Sequence, residues 1–372
     1  MNKRLEIVGK ILAVAALLYL FLVSISLMGA AFKGFGKGFA ESLIQTTSNP
    51  FVGLFIGILA TSLVQSSSTT TSVVVGIVGA GGLTVGNAIP IIMGANIGTT
   101  VTNTLVSLGH VSRRDEFKRA ISAATVHDFF NLICVAILFP LELATGYLER
   151  TATFMSRVFT GVGGFKITSP IKIVTKPAVG LIYEASLFVS GAKLAAYIIM
   201  TTLSLVLLFL ALYFIVKVMK SLVVNRAEIV LDNVISRRPV LGLFAGLAFT
   251  IVVQSSSITT SLLIPLVAAG ILTVESAFPI TIGANIGTTT TAILASFATG
   301  NPSAVTIAFA HFLFNLTGTV FIYPIRFCRM IPIHLAKGFG ETASVKRRYA
   351  AFYVAGVFFL APTLLIIISK LF

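Results

Sequence analysis

The residues with the clearest chemical potential form two short polar segments, each set inside an apolar stretch. Both read Gln-Ser-Ser-Ser, at 65–68 and at 254–257. Hydroxyls and a carboxamide offer neutral hydrogen-bond donors, and a helix that begins there adds its amide N–H groups and the positive end of its dipole. Two facing segments of this kind could enclose one tetrahedral oxyanion. The candidate anion ligands are Gln65, Ser66, Ser67, Ser68, Gln254, Ser255, Ser256 and Ser257.

A second paired segment reads Gly-Ala-Asn-Ile-Gly-Thr-Thr, at 94–100 and at 283–289. Its glycines allow close backbone approach, and its amide and hydroxyl side chains supply oxygen atoms. Transporters hold sodium with unwound carbonyls and such oxygens. The alternative is a helix-packing seam of small residues. The candidate sodium ligands from this pattern are Asn96, Thr99, Thr102, Asn285, Thr288 and Thr291.

Asp128 lies well inside an apolar run, where an ionised side chain is costly and usually functional. Its repeat counterpart is Phe312, so the two copies differ at this point. The structural alternative is that Asp128 only braces His127 or Asn131. His127 and His311 are expected to be core histidines, because no cluster of carboxylates or cysteines accompanies them; no transition metal and no cofactor are predicted.

The composition predicts a protein whose outer solvent is lipid. Of the 372 residues, 56% are hydrophobic and 10% are charged. Apolar runs of about 18 residues recur, and the backbone within them must satisfy its own hydrogen bonds, which predicts membrane-spanning helices. The net charge of +15 comes from basic residues scattered between these runs, as the positive-inside rule expects, and nucleic acid is not a predicted partner.

The chain is an internal duplication. Residues 53–100 align with residues 242–289 without a gap, and 29 of the 48 positions are identical. Each polar segment is flanked by apolar arms of about 12 residues, too short to cross a bilayer singly, which favours a re-entrant hairpin over one kinked span. We therefore predict an all-α polytopic membrane protein with two inverted-topology repeats, each containing a re-entrant hairpin plus transmembrane helices.

The predicted boundaries follow from this alignment. Repeat 1 covers about 50–145 and repeat 2 about 240–326, with a connecting segment at about 146–239 and a last helix at about 349–371. The one crossing predicted in the connection, at about 195–216, reverses the second repeat relative to the first. The positive-inside rule then places the amino terminus and the 109–119 loop inside the cell and the 299–303 loop outside.

The paired segments, together with Ala-Thr-Val-His-Asp-Phe-Phe-Asn at 124–131, resemble the type II sodium–phosphate cotransporter family. The resemblance implies that both Gln-Ser-Ser-Ser segments bind substrate and sodium, and that electrogenic members carry an aspartate where Asp128 stands. It also implies a second-repeat sodium site at Gln254, Ser255, Thr288 and Thr291. The 147–194 connection lacks cysteine and glycosylation sites, so the chain resembles a compact prokaryotic relative.

The function expected from this resemblance is sodium-coupled symport of inorganic phosphate across the cell's inner (plasma) membrane, electrogenic, with Na⁺ as the coupling ion. One alternative is a sodium-coupled carrier of another small oxyanion, since tetrahedral shape and charge are shared. A passive anion channel is another, although a channel would need a polar stripe along whole helices. A membrane enzyme is a third; only His127 and Asp128 could activate a serine, and the second copy lacks the acid.

Overall fold

The computed structural model describes residues 3–162, 170–235 and 239–369, and within these ranges the chain is helical, without strands. The all-α prediction is therefore confirmed. The described helices before residue 163 are α1 (Lys3–Gly34), α2 (Lys37–Thr46), α3 (Pro50–Val64), α4 (Ser67–Ala80), α5 (Val85–Gly98), α6 (Val101–Ser107) with a 3₁₀ turn at Leu108–His110, α7 (Arg114–Thr145) and α8 (Tyr147–Val162).

The remaining described helices begin at residue 170. They are α9 (Pro170–Ser190), α10 (Lys193–Ile235), α11 (Pro239–Val253), α12 (Ser256–Ala268), α13 (Val274–Thr299), α14 (Pro302–Ile322), α15 (Arg326–Val345), α16 (Arg348–Tyr353), a π-helical segment at Val354–Leu360 and α17 (Ala361–Ile368). The predicted last helix extended to about 371, and residues 370 and 371 lie outside the described part of the chain.

Seven described helices or joined helices are long and apolar enough to cross a membrane, and the bent pair α2 and α3, which meet at 95°, would make an eighth. Many large apolar side chains on these helices are exposed, as expected where lipid replaces water. The seven are Leu5–Gly34, Val85–His110, Arg114–Thr145, Ile173–Ser190, Lys193–Leu222, Pro302–Ile322 and Arg348–Ile368. The chain is thus a multi-pass membrane protein.

The chain reverses direction at the first Gln-Ser-Ser-Ser segment. Helices α3 and α5 run parallel: Gly53 lies against Pro90 and Ile91, and Gly98, eight residues further along α5, lies against Ile58 and Thr61. Helix α4 connects the end of α3 to the start of α5, so it must return antiparallel to both. Helices α3 and α4 therefore form a hairpin, here named hairpin 1, and not one kinked span.

The second copy repeats this arrangement. Gly242 lies against Pro279 and Ile280, while Gly287 lies against Leu247 and Thr250, so α11 and α13 are parallel. Helix α12 returns between them, and α11 with α12 forms hairpin 2. The arms have 13 to 15 residues, slightly more than the sequence predicted. The inverted orientation of the two repeats in the membrane stays a prediction.

Four described helices were not predicted: α2, α8, α9 and α15. Helix α15 follows repeat 2 and buries one face, with Ala336 and Gly340 against the rest of the protein. A Cβ at Gly340 would overlap the Ser122 hydroxyl, which shows how closely α15 packs on α7. Helix α9 lies in the connecting segment, where the sequence predicted one crossing at about 195–216, yet its Ile173–Ser190 stretch is also long and apolar enough to be a candidate span.

Candidate functional site

Gln65 and Gln254 occupy the tips of the two hairpins in a left-handed backbone conformation. Their φ angles are 55° and 59°, and among the described residues they alone combine a positive φ with a side chain. This conformation is strained for a residue with a Cβ and tends to persist at functional sites. Each glutamine ends the first arm of its hairpin, with its backbone N–H bonded to the carbonyl four residues earlier.

The serine after each glutamine starts the second arm. Ser66 Oγ accepts from the Thr69 amide at 3.2 Å, and Ser255 Oγ accepts from the Ile258 amide at 3.4 Å. Both serines are helix N-caps, which satisfy one of the free amides that every helix start leaves. The other first-turn amides of α4 and α12 are directed toward the tips. The predicted helix starts are therefore present in both copies.

The two hairpin tips line one cavity of about 280 Å³, here named the tip cavity. Helix α10 closes one side with Phe209, Leu212, Tyr213 and Val216. Of the predicted anion ligands, the structure brings Gln65, Ser66, Ser68, Gln254, Ser255 and Ser257 to this cavity. Ser67 and Ser256 are buried instead and do not line it.

The tips also contact each other directly. Ser68 Oγ donates to the backbone carbonyl of Gln254 at 3.4 Å. Thr291 Oγ1 donates to Gln254 Oε1 at 2.9 Å and lies 3.5 Å from Ser68 Oγ. Three predicted ligands, from α4, the tip of hairpin 2 and α13, thus meet at one point. The oxygens of Gln254, Ser68 and Thr291 together form a polar cluster at the wall of the tip cavity.

The other predicted sodium ligands lie on the parts of α5, α6 and α13 that pass the tips. Thr99 and Thr288 are buried, and each hydroxyl donates to the carbonyl four residues earlier, at 2.8 and 3.1 Å. Lone pairs of these hydroxyls remain free to accept or to ligate. Thr102 Oγ1 is buried without any hydrogen-bond partner. Such an orphaned oxygen is unusual in a native protein and suits a cation ligand.

Asn96 and Asn285 belong to a buried amide network that links the two repeats. Asn131 Nδ2 donates to the Asn96 carbonyl at 2.9 Å, and Asn285 Nδ2 donates to Asn131 Oδ1 at 2.9 Å. Asn285 Nδ2 also reaches Asn315 Oδ1 at 3.0 Å, and Asn315 Nδ2 returns to the Asn285 carbonyl at 3.2 Å. Asn96 thus joins this network through its backbone carbonyl, while its own Nδ2 donates to the Ile92 carbonyl at 2.9 Å; Asn285 joins it through its side-chain Nδ2.

Asn131, Asn315 and Asn103 are polar residues near the site that the sequence did not mark as candidate ligands. Asn131 and Asn315 end the two His-x-x-x-Asn runs, so their repetition was an available signal. Asn103 Oδ1 accepts from Thr260 at 2.9 Å and from Ser261 at 3.2 Å, which ties α6 to hairpin 2. Its repeat counterpart is Ala292, so no repetition marked it.

Asp128 is completely buried on α7. Its Oδ2 accepts from the Tyr353 hydroxyl at 3.0 Å, while Oδ1 has no hydrogen-bond partner. Neither partner that the structural alternative named bonds to Asp128: Asn131 bonds to Asn96 and Asn285 instead, and both ring nitrogens of His127 lack a hydrogen-bond partner. His127 and His311 are also fully buried, and the described residues contain no group of three or more His, Cys, Asp or Glu side chains that could hold a metal.

The sequence matches a known protein family over most of its length. The model of the Na+/Pi-cotransporter family matches residues 20–169 and 206–325. Human sodium-dependent phosphate transport protein 2B is 36% identical over 95% of this chain and 64% of its own length. The 2A protein of Rattus norvegicus is 37% identical over 95% of this chain and 66% of its own length, and that of Mus musculus is 36% identical over 97% and 68%.

The chain spans slightly less than two thirds of the length of the first of these relatives. No solved structure matches it significantly. The family match includes both hairpins and both Gly-Ala-Asn-Ile-Gly-Thr-Thr segments. On the family match and the identities to these relatives, the chain belongs to the Na+/Pi-cotransporter family.

Proposed function

We propose that this protein is a secondary active transporter that carries inorganic phosphate into the cell together with sodium, electrogenically, across the inner (plasma) membrane. The observation that carries the proposal is the tip cavity, because it is lined by equivalent residues of two duplicated hairpins. The named relatives are sodium-dependent phosphate transport proteins, which fits the same reading.

Contacts between the repeats support the inverted arrangement that such a transporter needs. The span Val85–His110 starts beside the base of hairpin 1 and ends near the start of α7. At that far end, Arg119 Nε donates to the carbonyl of Ala268, the last residue of α12, at 2.7 Å. At the opposite end, Asn301 Nδ2 donates to Gly79 near the end of α4 at 2.9 Å. The hairpins thus extend from shared tips toward opposite ends.

The charge of the tip cavity explains why an anion would require sodium. None of its lining residues carries a charged side chain. Two helix starts supply about half a positive charge each, so together they offset about one of the two charges of divalent phosphate. A buried, uncompensated charge is costly. Sodium bound next to the tips would supply the missing positive charge, which couples the two solutes.

The sodium ligands we propose fall into two groups. Gln254, Ser255, Thr288 and Thr291 form the second-repeat group, and the Thr291–Gln254 hydrogen bond already joins two of them at the cavity wall. The first-repeat group comprises Asn96, Thr99, Thr102 and Asp128, in which Thr102 and Asp128 contribute oxygens that lack partners. Asn285 would contribute to the second group through its side-chain Oδ1, because its Nδ2 donates to Asn131 and Asn315 and its backbone carbonyl accepts from Asn315.

Uptake by purified protein in liposomes tests this function. Labelled phosphate should accumulate above the external concentration when sodium is higher outside, and the accumulation should persist when the proton gradient is collapsed. Equal uptake in sodium and in choline medium would contradict sodium coupling. Equilibration without accumulation would indicate the passive channel.

Competition between unlabelled anions and labelled phosphate identifies which anion the protein carries. Unlabelled phosphate, arsenate and sulfate are added at increasing concentrations to the same uptake assay. We expect phosphate to compete at the lowest concentration among them. If sulfate displaces the label at lower concentration than phosphate does, the protein is a sodium-coupled carrier of another oxyanion.

A further inference from the structure

The last membrane helix brings a tyrosine to the buried carboxylate of repeat 1. Tyr353 lies 225 residues after Asp128, and its hydroxyl donates to Asp128 Oδ2 at 3.0 Å. It lies beyond the part of the chain that the family model matches. Nothing in repeat 2 corresponds to this pair, because Phe312 replaces the aspartate there.

The Tyr353 ring is held by a cluster of aromatic side chains. Phe339 lies at 4.7 Å between ring centroids, Phe358 at 5.8 Å and Phe129, the neighbour of Asp128, at 6.4 Å. These contacts come from α15, the π-helical segment and α7. Ring contacts of this kind fix the direction of the phenol, so the hydroxyl is oriented by apolar packing before any ion binds.

The second carboxylate oxygen of Asp128, Oδ1, accepts no hydrogen bond. The Thr100 hydroxyl lies beside Asp128, but it donates its hydrogen to the Ile97 carbonyl at 2.7 Å. Asp128 Oδ1 therefore has no donor. The oxygens of the Thr100 hydroxyl and the Asp128 carboxylate repel each other when no hydrogen lies between them. A cation placed between these two oxygens removes that repulsion.

The backbone near Thr100 is also interrupted. Helix α5 ends at Gly98 and α6 starts at Val101, and the Thr100 amide bonds to Ile97 three residues earlier. In repeat 2, the Thr289 hydroxyl donates to the Ile286 carbonyl at 2.7 Å, as the Thr100 hydroxyl does to Ile97, yet α13 continues without a break. The interruption and the carboxylate thus occur together in repeat 1 alone.

We propose that Tyr353 is a positioning residue for sodium binding at Asp128: it occupies Oδ2 and directs Oδ1 toward the interrupted backbone at Thr100. This inference rests on the proposed role of Asp128 as a sodium ligand. Tyr353 itself does not touch the ion. The competing explanation is that Tyr353 only fastens the last helix to α7, in which case it affects stability and not the sodium response.

Tyr353→Phe tests the proposal because it removes the hydroxyl and keeps the ring. We expect the sodium concentration for half-maximal uptake to rise about tenfold, the size of effect typical for a hydrogen bond to a charged group. The maximal rate and the phosphate half-saturation at saturating sodium should stay near those of the unchanged protein. Tyr349→Phe, one turn earlier on the same helix and beside Lys346, is the matched control and should change neither value.

Sodium binding is also measured without transport, through its effect on the melting temperature. Sodium added in place of choline should raise the melting temperature of the detergent-solubilised protein, and in Tyr353→Phe that rise should need about tenfold more sodium. In an Asp128→Asn background, Tyr353→Phe should cause no further shift. Should Tyr353→Phe prove too unstable to purify, Phe339→Leu, which loosens the ring and keeps the hydroxyl, should shift the sodium dependence in the same direction by a smaller factor.

The outcomes separate this inference from the proposed function. A lower melting temperature in choline with an unchanged sodium dependence would make Tyr353 a structural fastener and overturn the inference alone. If the unchanged protein shows neither sodium-dependent uptake nor sodium-dependent stabilisation, both the inference and the proposed function are wrong.

Discussion

At the scale of single residues, the two tip glutamines combine strained backbone with a polar side chain. Asparagine and glycine tolerate positive φ best, so glutamine at 55° and 59° has a cost that its carboxamide must offset. The Gln254 carboxamide offsets this cost with two hydrogen bonds. Its Oε1 accepts from Thr291, and its Nε2 donates to the Ile251 carbonyl at 2.5 Å. Gln65 is exposed to the tip cavity, where a ligand would use its amide.

Gln65→Ala and Gln254→Ala should each lower the initial rate of sodium-driven phosphate uptake by at least about tenfold while the protein remains monodisperse. A lost polar partner at the tip cannot be replaced cheaply by water. Gln45→Ala, on exposed α2, is the matched control and should transport normally. Normal uptake by either tip variant would show that its segment serves packing and not binding.

Asp128 is predicted to make transport electrogenic by helping to bind a third sodium ion. Three sodium ions with divalent phosphate carry one net positive charge inward, whereas two carry none. An extra ion crossing a tenfold gradient adds about 1.4 kcal/mol, and its charge adds about 2.3 kcal/mol per 100 mV. Together these increase phosphate accumulation several hundredfold, a reason to keep a carboxylate inside the membrane.

We therefore expect Asp128→Gly to retain weakened uptake, with no phosphate-evoked current and a lower Hill slope for sodium. Current and uptake should be recorded on the same preparation, with Asp115→Gly, on the exposed start of α7, as the control. A ratio of charge to phosphate equal to that of the unchanged protein would contradict the role in coupling. So would a variant that simply fails to fold.

At the scale of helices, the parallel crossing of α3 with α5 depends on the absence of side chains. A Cβ at Gly94 would overlap the Leu54 carbonyl, and a Cβ at Gly57 would overlap the Ile91 carbonyl. Gly283 and Gly246 make the same crossing in repeat 2, against Leu243 and Ile280. The small-residue seam that the sequence offered as an alternative is thus present. It sets the position of each hairpin arm beside the helix that carries the proposed sodium ligands.

Gly94→Ala and Gly283→Ala should each destabilise the protein by about 1–3 kcal/mol, because the helices must separate to admit a methyl group. The measurement is thermal melting followed by size-exclusion chromatography. Gly29→Ala, which would meet no atom within 4 Å, is the matched control and should be neutral or slightly stabilising. Equal melting temperatures for Gly94→Ala and Gly29→Ala would show that the crossing is looser than the structure indicates.

At the scale of the whole molecule, basic residues gather at the end where hairpin 2 has its base. Lys118 pairs with Glu341 at 2.7 Å, and this ion pair lowers the pKa of the Glu341 carboxyl. Lys337 pairs with Glu275 at 2.5 Å. Arg347 donates to the Ser112 carbonyl at 3.4 Å, so α7, α15 and α16 share this end. The positive-inside rule assigns this end to the cytoplasm.

Labelling of introduced cysteines should confirm that orientation. Ser303 is exposed at the start of α14, at the end where Asn301 meets Gly79, and Ser112 is exposed at the basic end. After replacement of Cys134 and Cys328, we expect Ser303→Cys to react with an external impermeant thiol reagent and Ser112→Cys to react only after permeabilisation. The reverse pattern would overturn the orientation and place the base of hairpin 2 outside.

Local features of the chain were enough to predict the helices that carry the site. The duplication, the apolar spans and the interruption at each Gln-Ser-Ser-Ser segment are properties of consecutive residues, and each appears in the structure near its predicted place. The hairpin could be argued from arm length alone, because about 12 apolar residues cannot cross a bilayer. Helix α15 was missed because its polar residues obscure the face that it buries.

The tertiary structure decided which side chains share a site. It turns Ser67 and Ser256 away from the tip cavity, joins Asn131 to Asn285, and brings Tyr353 to Asp128. These outcomes depend on helices that are distant in the chain and pack at angles set by glycines and side-chain shape. Periodicity and composition describe one helix at a time. They therefore predicted the candidate ligands that occur in both repeats, and they missed partners such as Tyr353, which reach the site only when distant helices pack together.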